Sequence, residues 1–169
     1  MKYQKIDSNL FIKNRKNFLG RMKPNSIAFF NSNDIYPVSA DSTLPFEQHR
    51  DIFYLSGVDQ EESVLMLCPS CSDQNLREVL FLKETDEHIA VWEGPKLNKK
   101  QAFETSGIKS VFWLDEMENI IDKVMNECET IYYNHNEHYR AKVEMETREE
   151  RFNKWLGGKY PNKLKERSN

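Results

Sequence analysis

Fully apolar runs of four residues, each bounded by polar or turn-forming residues, recur along this chain and constrain its fold more than any other feature. Ile27-Ala28-Phe29-Phe30, Ile52-Phe53-Tyr54-Leu55 and Val64-Leu65-Met66-Leu67 are the plainest. They are short enough for strands and rich in β-branched and aromatic residues. The reading extends to strands at residues 27–30, 52–56, 63–68, 77–82, 89–92, 110–113 and 130–133. Gly57 can take the positive φ that stops the second of these, and Asp59 to Glu62 form the acidic turn into the third.

Helical stripes lie between the runs. Phe11, Arg15, Phe18, Leu19 and Met22 recur at three and four residue spacing behind a Ser8 or Asn9 cap, and Pro24-Asn25 closes the segment. Residues 99–105 read as a short helix stopped by Gly107. Asp115 is the expected cap of a longer helix whose Met117, Ile120, Ile121, Val124, Met125 and Cys128 share one face. A last helix is expected at about residues 141–155, with Glu and Arg around Val143, Phe152 and Trp155, a charge pattern typical of a solvated face. The fold class that follows is α/β, a mixed β-sheet of about six strands flanked by helices. One domain is expected over residues 1–156, and the basic segment 157–169, broken by Gly and Pro, reads as the start of a linker.

A chain of 169 residues can bury roughly 70% of its unfolded surface without cross-links. Its net charge of -3 gives no electrostatic reason to expect nucleic acid or an anionic membrane as partner. The amino terminus lacks an apolar core segment and no run reaches spanning length, so the expected location is cytoplasmic. Three cysteines, Cys68, Cys71 and Cys128, suit a reducing compartment. Cys68-Pro69-Ser70-Cys71 has the gap of a zinc knuckle that His135 and His138 could complete, but it also reads as a Pro-Ser turn after a strand, with Cys68 as a small buried apolar residue. The second reading is favoured, because the ligand pairs lie far apart in sequence.

No set of residues makes a hydrolytic centre. The four histidines, His49, His88, His135 and His138, belong to no His-Glu-x-x-His helix, and neither a Gly-x-Ser-x-Gly elbow nor a phosphate-binding glycine loop occurs.

Two segments carry a resemblance. Pro45-Phe46-x-Gln48-x-x-Asp51-x-Phe53-Tyr54-Leu55-x-Gly57, with Glu61 and Val64-Leu65 behind it, is followed by Glu87-His88-Ile89-Ala90-Val91-Trp92-Glu93-Gly94-Pro95-Lys96-Leu97, then Ala102 and Gly107-Ile108-Lys109. In order and spacing, over residues 41 to about 114, they resemble the amino-terminal domain of Xaa-Pro aminopeptidases, in the creatinase, prolidase and aminopeptidase P family. The resemblance implies a creatinase-like amino-terminal fold with a ribonuclease H-like motif. It also implies that this chain is the non-catalytic part of a peptidase that removes the residue preceding proline. That family's centre holds two divalent metals, commonly Mn2+, on two Asp, one His and two Glu in a carboxy-terminal pita-bread domain. The chain itself is then expected to contain no catalytic residue, metal or cofactor, and to be inactive alone.

The implied partners are that catalytic domain, copies of the chain in a homo-dimer or tetramer, and a peptide with proline second. By position, Trp92 and Asp41 match residues that approach a neighbouring subunit's active site, where an indole could face a proline ring and a carboxylate the substrate ammonium. Residue chemistry alone favours Trp92 packing over the sheet edge and the resemblance favours the substrate role, while Asp41-Ser42-Thr43 could equally be a turn. Gln48, Asp51 and Tyr54 are expected to organise the fold. Glu47 stands where relatives usually carry Arg, and Arg50 would point to the opposite face of an extended strand. Prolidase and creatinase amino-terminal domains, and a stand-alone protein- or peptide-binding domain, are the alternatives.

Overall fold

A computed structural model describes residues 6–86, 94, 96–134 and 146–163. Its five-stranded sheet is built from β1 (Ser26–Asn31), β4 (Ser63–Leu67), β5 (Glu78–Leu82), β6 (Ser110–Trp113) and β7 (Thr130–Tyr133), in the order β6-β5-β4-β1-β7. β1 pairs antiparallel with β4 and β4 with β5, while β5 with β6 and β1 with β7 run parallel. The mixed sheet expected from the sequence is therefore present, with five strands. A separate hairpin of β2 (Pro37–Ser39) and β3 (Ser42–Thr43) stands apart from it.

The apolar runs do not alternate with polar residues because helices cover both faces of the sheet. Along each central strand, successive side chains leave for opposite sides. Ile27, Phe29, Val64, Met66, Val79 and Phe81 form one core with α4 (Met117–Met125) and α5 (Arg148–Lys159), which contribute Ile120, Ile121, Val124, Phe152 and Leu156. Ala28, Phe30, Leu65, Leu67, Leu80 and Leu82 form the other, against α1 (Ser8–Leu19), α2 (Arg50–Ser56) and α3 (Lys99–Ser106). Each fully buried side chain of this size contributes about 1.5–3 kcal/mol, so β1, β4 and β5, buried on both sides, anchor the domain.

Several expectations need correction. Residues 52–56 are helical, not extended: Ile52 and Leu55 are buried one turn apart, while Tyr54 is 56% exposed on the opposite side. His49 caps α2 by accepting the Asp51 amide, and Gly57 ends it at φ 70°. Four consecutive apolar residues carry no period, and tertiary burial chose the helix. The strand-face argument about Arg50 lapses with it, since Arg50 opens the helix. The cap of α1 is Asp7, whose carboxylate accepts the Asn9 amide, in place of Ser8 or Asn9. Asp115 caps no helix. It lies in a 3-10 turn, Leu114–Glu116, where the Glu116 carboxylate accepts the Trp113 amide at 2.9 Å.

The last helix is capped by Thr147, in a capping box with Glu150, and runs from Arg148 through Gly157 and Gly158 to Lys159, where a break was expected. Lys159 and Tyr160 hold it to Glu118 and Asp122 on α4, so tertiary contacts outweigh the low helix propensity of two glycines. The expected strand at 89–92 and the helix portion at 141–145 lie outside the described residues.

Candidate functional site

Two short stretches share one local design. Leu55-Ser56-Gly57-Val58 ends α2 and Thr105-Ser106-Gly107-Ile108 ends α3. In each, the glycine amide donates to a Phe carbonyl four residues back at 2.7 Å, at positive φ. The serine hydroxyl donates to the carbonyl four residues back at 2.7 Å and accepts the amide of the following Val or Ile. Helix α1 reads both ends at once. Arg15, 1% exposed, donates from Nη1 to the Leu55 carbonyl at 2.8 Å and the Ser106 carbonyl at 2.9 Å, and from Nε to Glu78 at 2.8 Å. A cation at two helix carboxy termini also meets their partial negative charge.

The glycines are required twice over. A Cβ on Gly57 would lie 2.2 Å from the Phe11 ring, and one on Gly107 would lie 2.6 Å from Ile12. The sequence singled out both glycines and placed Arg15 on the buried stripe, but carried no signal for the three acceptors, which come from distant positions.

Gln48 organises the other end of α2, as expected. Its Nε2 donates to the Val58 carbonyl at 3.1 Å and the Gln60 carbonyl at 2.8 Å, and its Oε1 accepts the His49 amide at 2.7 Å. Gln60 in turn accepts the Leu97 amide, and Lys96 pairs with Glu61, so the loop of residues 58–62 holds the segment entering α3. Asp51 accepts from the Asn134 side chain at 3.0 Å beyond β7. Among the described residues, Tyr54 joins this framework through its backbone carbonyl, which accepts from Asn14 at 2.8 Å, and its ring is exposed. Glu47 is exposed and its carbonyl accepts from Asn33.

The predicted site residues fall as follows. Asp41 is exposed at the turn of the β2–β3 hairpin, next to Ala40 at φ 49°. Ile35, Val38 and Leu44 are exposed on the same hairpin segment, an apolar surface that the sequence reading missed because its two strands are only three and two residues long. Trp92 lies outside the described residues, as do His135 and His138. Gly94, just beyond Trp92, has φ 80° with open space around it, as a turn glycine should. The structure therefore brings Asp41 to a projecting tip and leaves its relation to Trp92 undescribed.

Elsewhere, a cleft of roughly 450 Å³ lies between the start of α4 and α5, lined by Asn31, Leu114, Met117, Arg148, Phe152 and Trp155. Burial pulls the Arg148 pKa down, and its Nε has no hydrogen-bond partner among the described residues. On the rim of the α4–α5 contact, Tyr160 is pushed up to about 12 by burial and by its bond to Asp122, whose own carboxyl is held down by Tyr160 and Lys159. Cys68 and Cys71 are buried around a Pro69-Ser70 turn closed by the Cys71 amide on the Cys68 carbonyl, as the turn reading required. Among the described residues, no group of three or more His, Cys, Asp or Glu side chains could hold a metal ion. No helix among them is long and apolar enough to cross a membrane.

Comparison with known proteins extends this geometry. The family model for the aminopeptidase P N-terminal domain matches residues 11–132, from the first turns of α1 to β7. The Xaa-Pro aminopeptidase of Escherichia coli K12 is 28% identical over 138 residues, covering 82% of this chain and 31% of that protein. The solved structure of Escherichia coli aminopeptidase P superposes with a TM-score of 0.69 at 26% identity, over 82% of this chain and 31% of that one. The aminopeptidase PepP of Pseudomonas aeruginosa superposes with a TM-score of 0.75 over 91% of this chain and 32% of its own; at 23% identity it speaks for the fold alone. The chain spans about a third of the length of these relatives.

Proposed function

Because the chain belongs to the aminopeptidase P N-terminal domain family, we propose that it serves as the non-catalytic amino-terminal domain of a cytoplasmic Xaa-Pro aminopeptidase, assembling subunits and walling the active site of a neighbour. One observation carries the reading: the alignment fills 82% of this chain yet only 31% of the Escherichia coli enzyme, as one domain of a larger enzyme would. The described side chains fit a scaffold. Arg15, Gln48 and the two glycine caps are spent on holding helices to a sheet, and the exposed hairpin offers an apolar surface with a carboxylate at its tip.

In this role Asp41 draws the ammonium of an incoming peptide, and Trp92 presents an indole face to the proline ring and narrows the mouth against water. The dinuclear Mn2+ centre belongs to the carboxy-terminal catalytic domain, where it supplies hydroxide near neutral pH. None of the steps above needs a metal ligand from this chain.

The test uses this chain and the longer protein encoded with it. The 169-residue chain incubated with Mn2+ and an Xaa-Pro peptide should release no amino acid, and robust turnover would overturn the reading. In the longer protein, Trp92→Ala and Asp41→Asn should lower kcat/KM about tenfold, about 1.4 kcal/mol of transition-state stabilisation, without lowering Tm. Unchanged kinetics would return both residues to structural roles. A stop codon directly after Asn169 would favour a stand-alone binding domain.

A further inference from the structure

The thiol pair Cys68–Cys128 lies outside every role described above. Cys68 leaves the end of β4 and Cys128 the end of α4, 60 residues later, and their sulfur atoms are 3.4 Å apart. Both side chains are buried, at 0% and 2% exposure. We propose that Cys68 and Cys128 are a redox modification site, a dithiol that a peroxide converts to a disulfide tying the exit of β4 to the end of α4.

The surroundings hold the two sulfurs at bonding range. Next to Cys68, the Ser72 amide and hydroxyl both donate to the Glu127 carboxylate, at 2.6 and 2.7 Å, so the residue before Cys128 is clamped to the turn after Cys68. The Ser70 hydroxyl accepts the Asn25 amide, and Arg77 donates to the Cys71 carbonyl at 2.8 Å. The Cys68 amide donates to the Arg77 carbonyl at 2.8 Å, and Lys163 donates to the Cys128 carbonyl at 2.7 Å. A disulfide needs the sulfurs at about 2.05 Å, so from 3.4 Å each side must move by roughly 0.7 Å. The Cys71 sulfur makes no comparable contact among the described residues, although its position in Cys-x-x-Cys would suggest it as the natural partner.

Access comes through the turn. Ser70, Ser72 and Glu127 are exposed, and the bonds that close this flap are surface bonds that open locally at small cost. Either sulfur can donate across this contact, and the Cys128 thiol also reaches the Val124 carbonyl at 3.5 Å. The two thiols are unequal in their surroundings: the contact with Cys68 and the nearby Lys163 ammonium pull the Cys128 pKa down, while the same contact and burial push Cys68 up. The Cys128 thiol gives its proton to solvent, the thiolate attacks one peroxide oxygen, the O–O bond breaks, and the departing hydroxide takes up a proton to leave as water, giving a sulfenic acid. The Cys68 sulfur then attacks the Cys128 sulfur, the S–O bond breaks, and its proton departs in a second water. Two thiols and one hydrogen peroxide become one disulfide and two waters.

The experiment treats the folded, reduced chain with hydrogen peroxide, blocks remaining thiols with iodoacetamide and maps the peptides by mass spectrometry. The expected product joins Cys68 to Cys128 with Cys71 alkylated, forms equally in Cys71→Ser, and is absent in Cys68→Ser, where Cys128 stops at sulfenic or sulfinic acid. Closing a loop of this length should raise Tm on the order of 10 °C, and dithiothreitol should reverse the change. Alkylation of both Cys68 and Cys128 after peroxide treatment, or a Cys68–Cys71 bond, would overturn the proposal. Circular dichroism of each serine variant confirms the fold, so a loss of cross-linking reads on chemistry.

Discussion

Replacing Arg15 by Met tests the central structural argument. Methionine keeps an unbranched stem of similar length in the buried slot, so the main loss is the guanidinium and its three bonds. Replacing a buried ion pair by apolar side chains is often neutral, but that holds only when both partners go. Here two of the three acceptors are the backbone carbonyls of Leu55 and Ser106, which no substitution can remove. Each buried carbonyl left without a donor costs about 1–3 kcal/mol. The third acceptor, Glu78, is 35% exposed and can rehydrate, so its loss adds little. The sum is about 2–6 kcal/mol against a typical total of about 5–15 kcal/mol. For a domain of this size that lowers Tm by on the order of 10 °C.

Urea unfolding followed by far-ultraviolet circular dichroism measures the effect as a lower midpoint at unchanged slope. Arg15→Lys should recover only part of it, because a point charge cannot reach acceptors on two helices and a strand in one geometry. If Arg15→Met loses under about 1 kcal/mol, the carbonyls find other donors and the clamp argument fails.

Gly57→Ala should cost more than the 1–2 kcal/mol of a left-handed backbone, because the added methyl meets Phe11. Phe11→Ala should then couple favourably to it in a double-mutant cycle, and strict additivity would mean that the ring is not what the glycine accommodates. Gln48→Glu should destabilise at least as much as Gln48→Ala at neutral pH, since a carboxylate would face the Val58 and Gln60 carbonyls; a midpoint closer to the parent than that of Gln48→Ala would refute the assigned bonds. Glu127 has its pKa lowered, first by the Ser72 amide and then by the Ser72 hydroxyl. A carboxyl depressed by folding stabilises above its unfolded value, about 4.3, and loses that contribution as pH falls through the folded value. The Tm gap between the parent and Glu127→Gln should accordingly be present at neutral pH and close in acid. A gap that persists well below the folded value would point to packing instead.

How much was legible beforehand follows from how local each cause is. The strands at β1, β4, β5, β6 and β7 were readable because a sheet covered on both faces demands continuous apolar runs, and a run is a local property. Helix α3 was readable through its glycine stop, and the stripe on α4 through its period. The α2 segment was misread because the same four residues satisfy a strand and a helix equally, and the choice rests on Leu55 and Ile52 facing β-sheet residues far along the chain. A turn at Asp41 was readable, but the two strands flanking it went unseen because three and two residues are too few to make an apolar run.

By itself, then, the order of residues determined the layered α/β class, the Gly57 and Gly107 chain stops and the family signature, because burial period and backbone freedom are written in adjacent positions; that Gly57 stops a helix and not a strand was left to the fold. Only the folded chain decided that one arginine closes two helices, that the helix through Gly157 and Gly158 holds, and that Cys68 meets Cys128 in preference to Cys71. Those are meetings of side chains and carbonyls tens of residues apart, and nothing in the neighbourhood of either partner announces them.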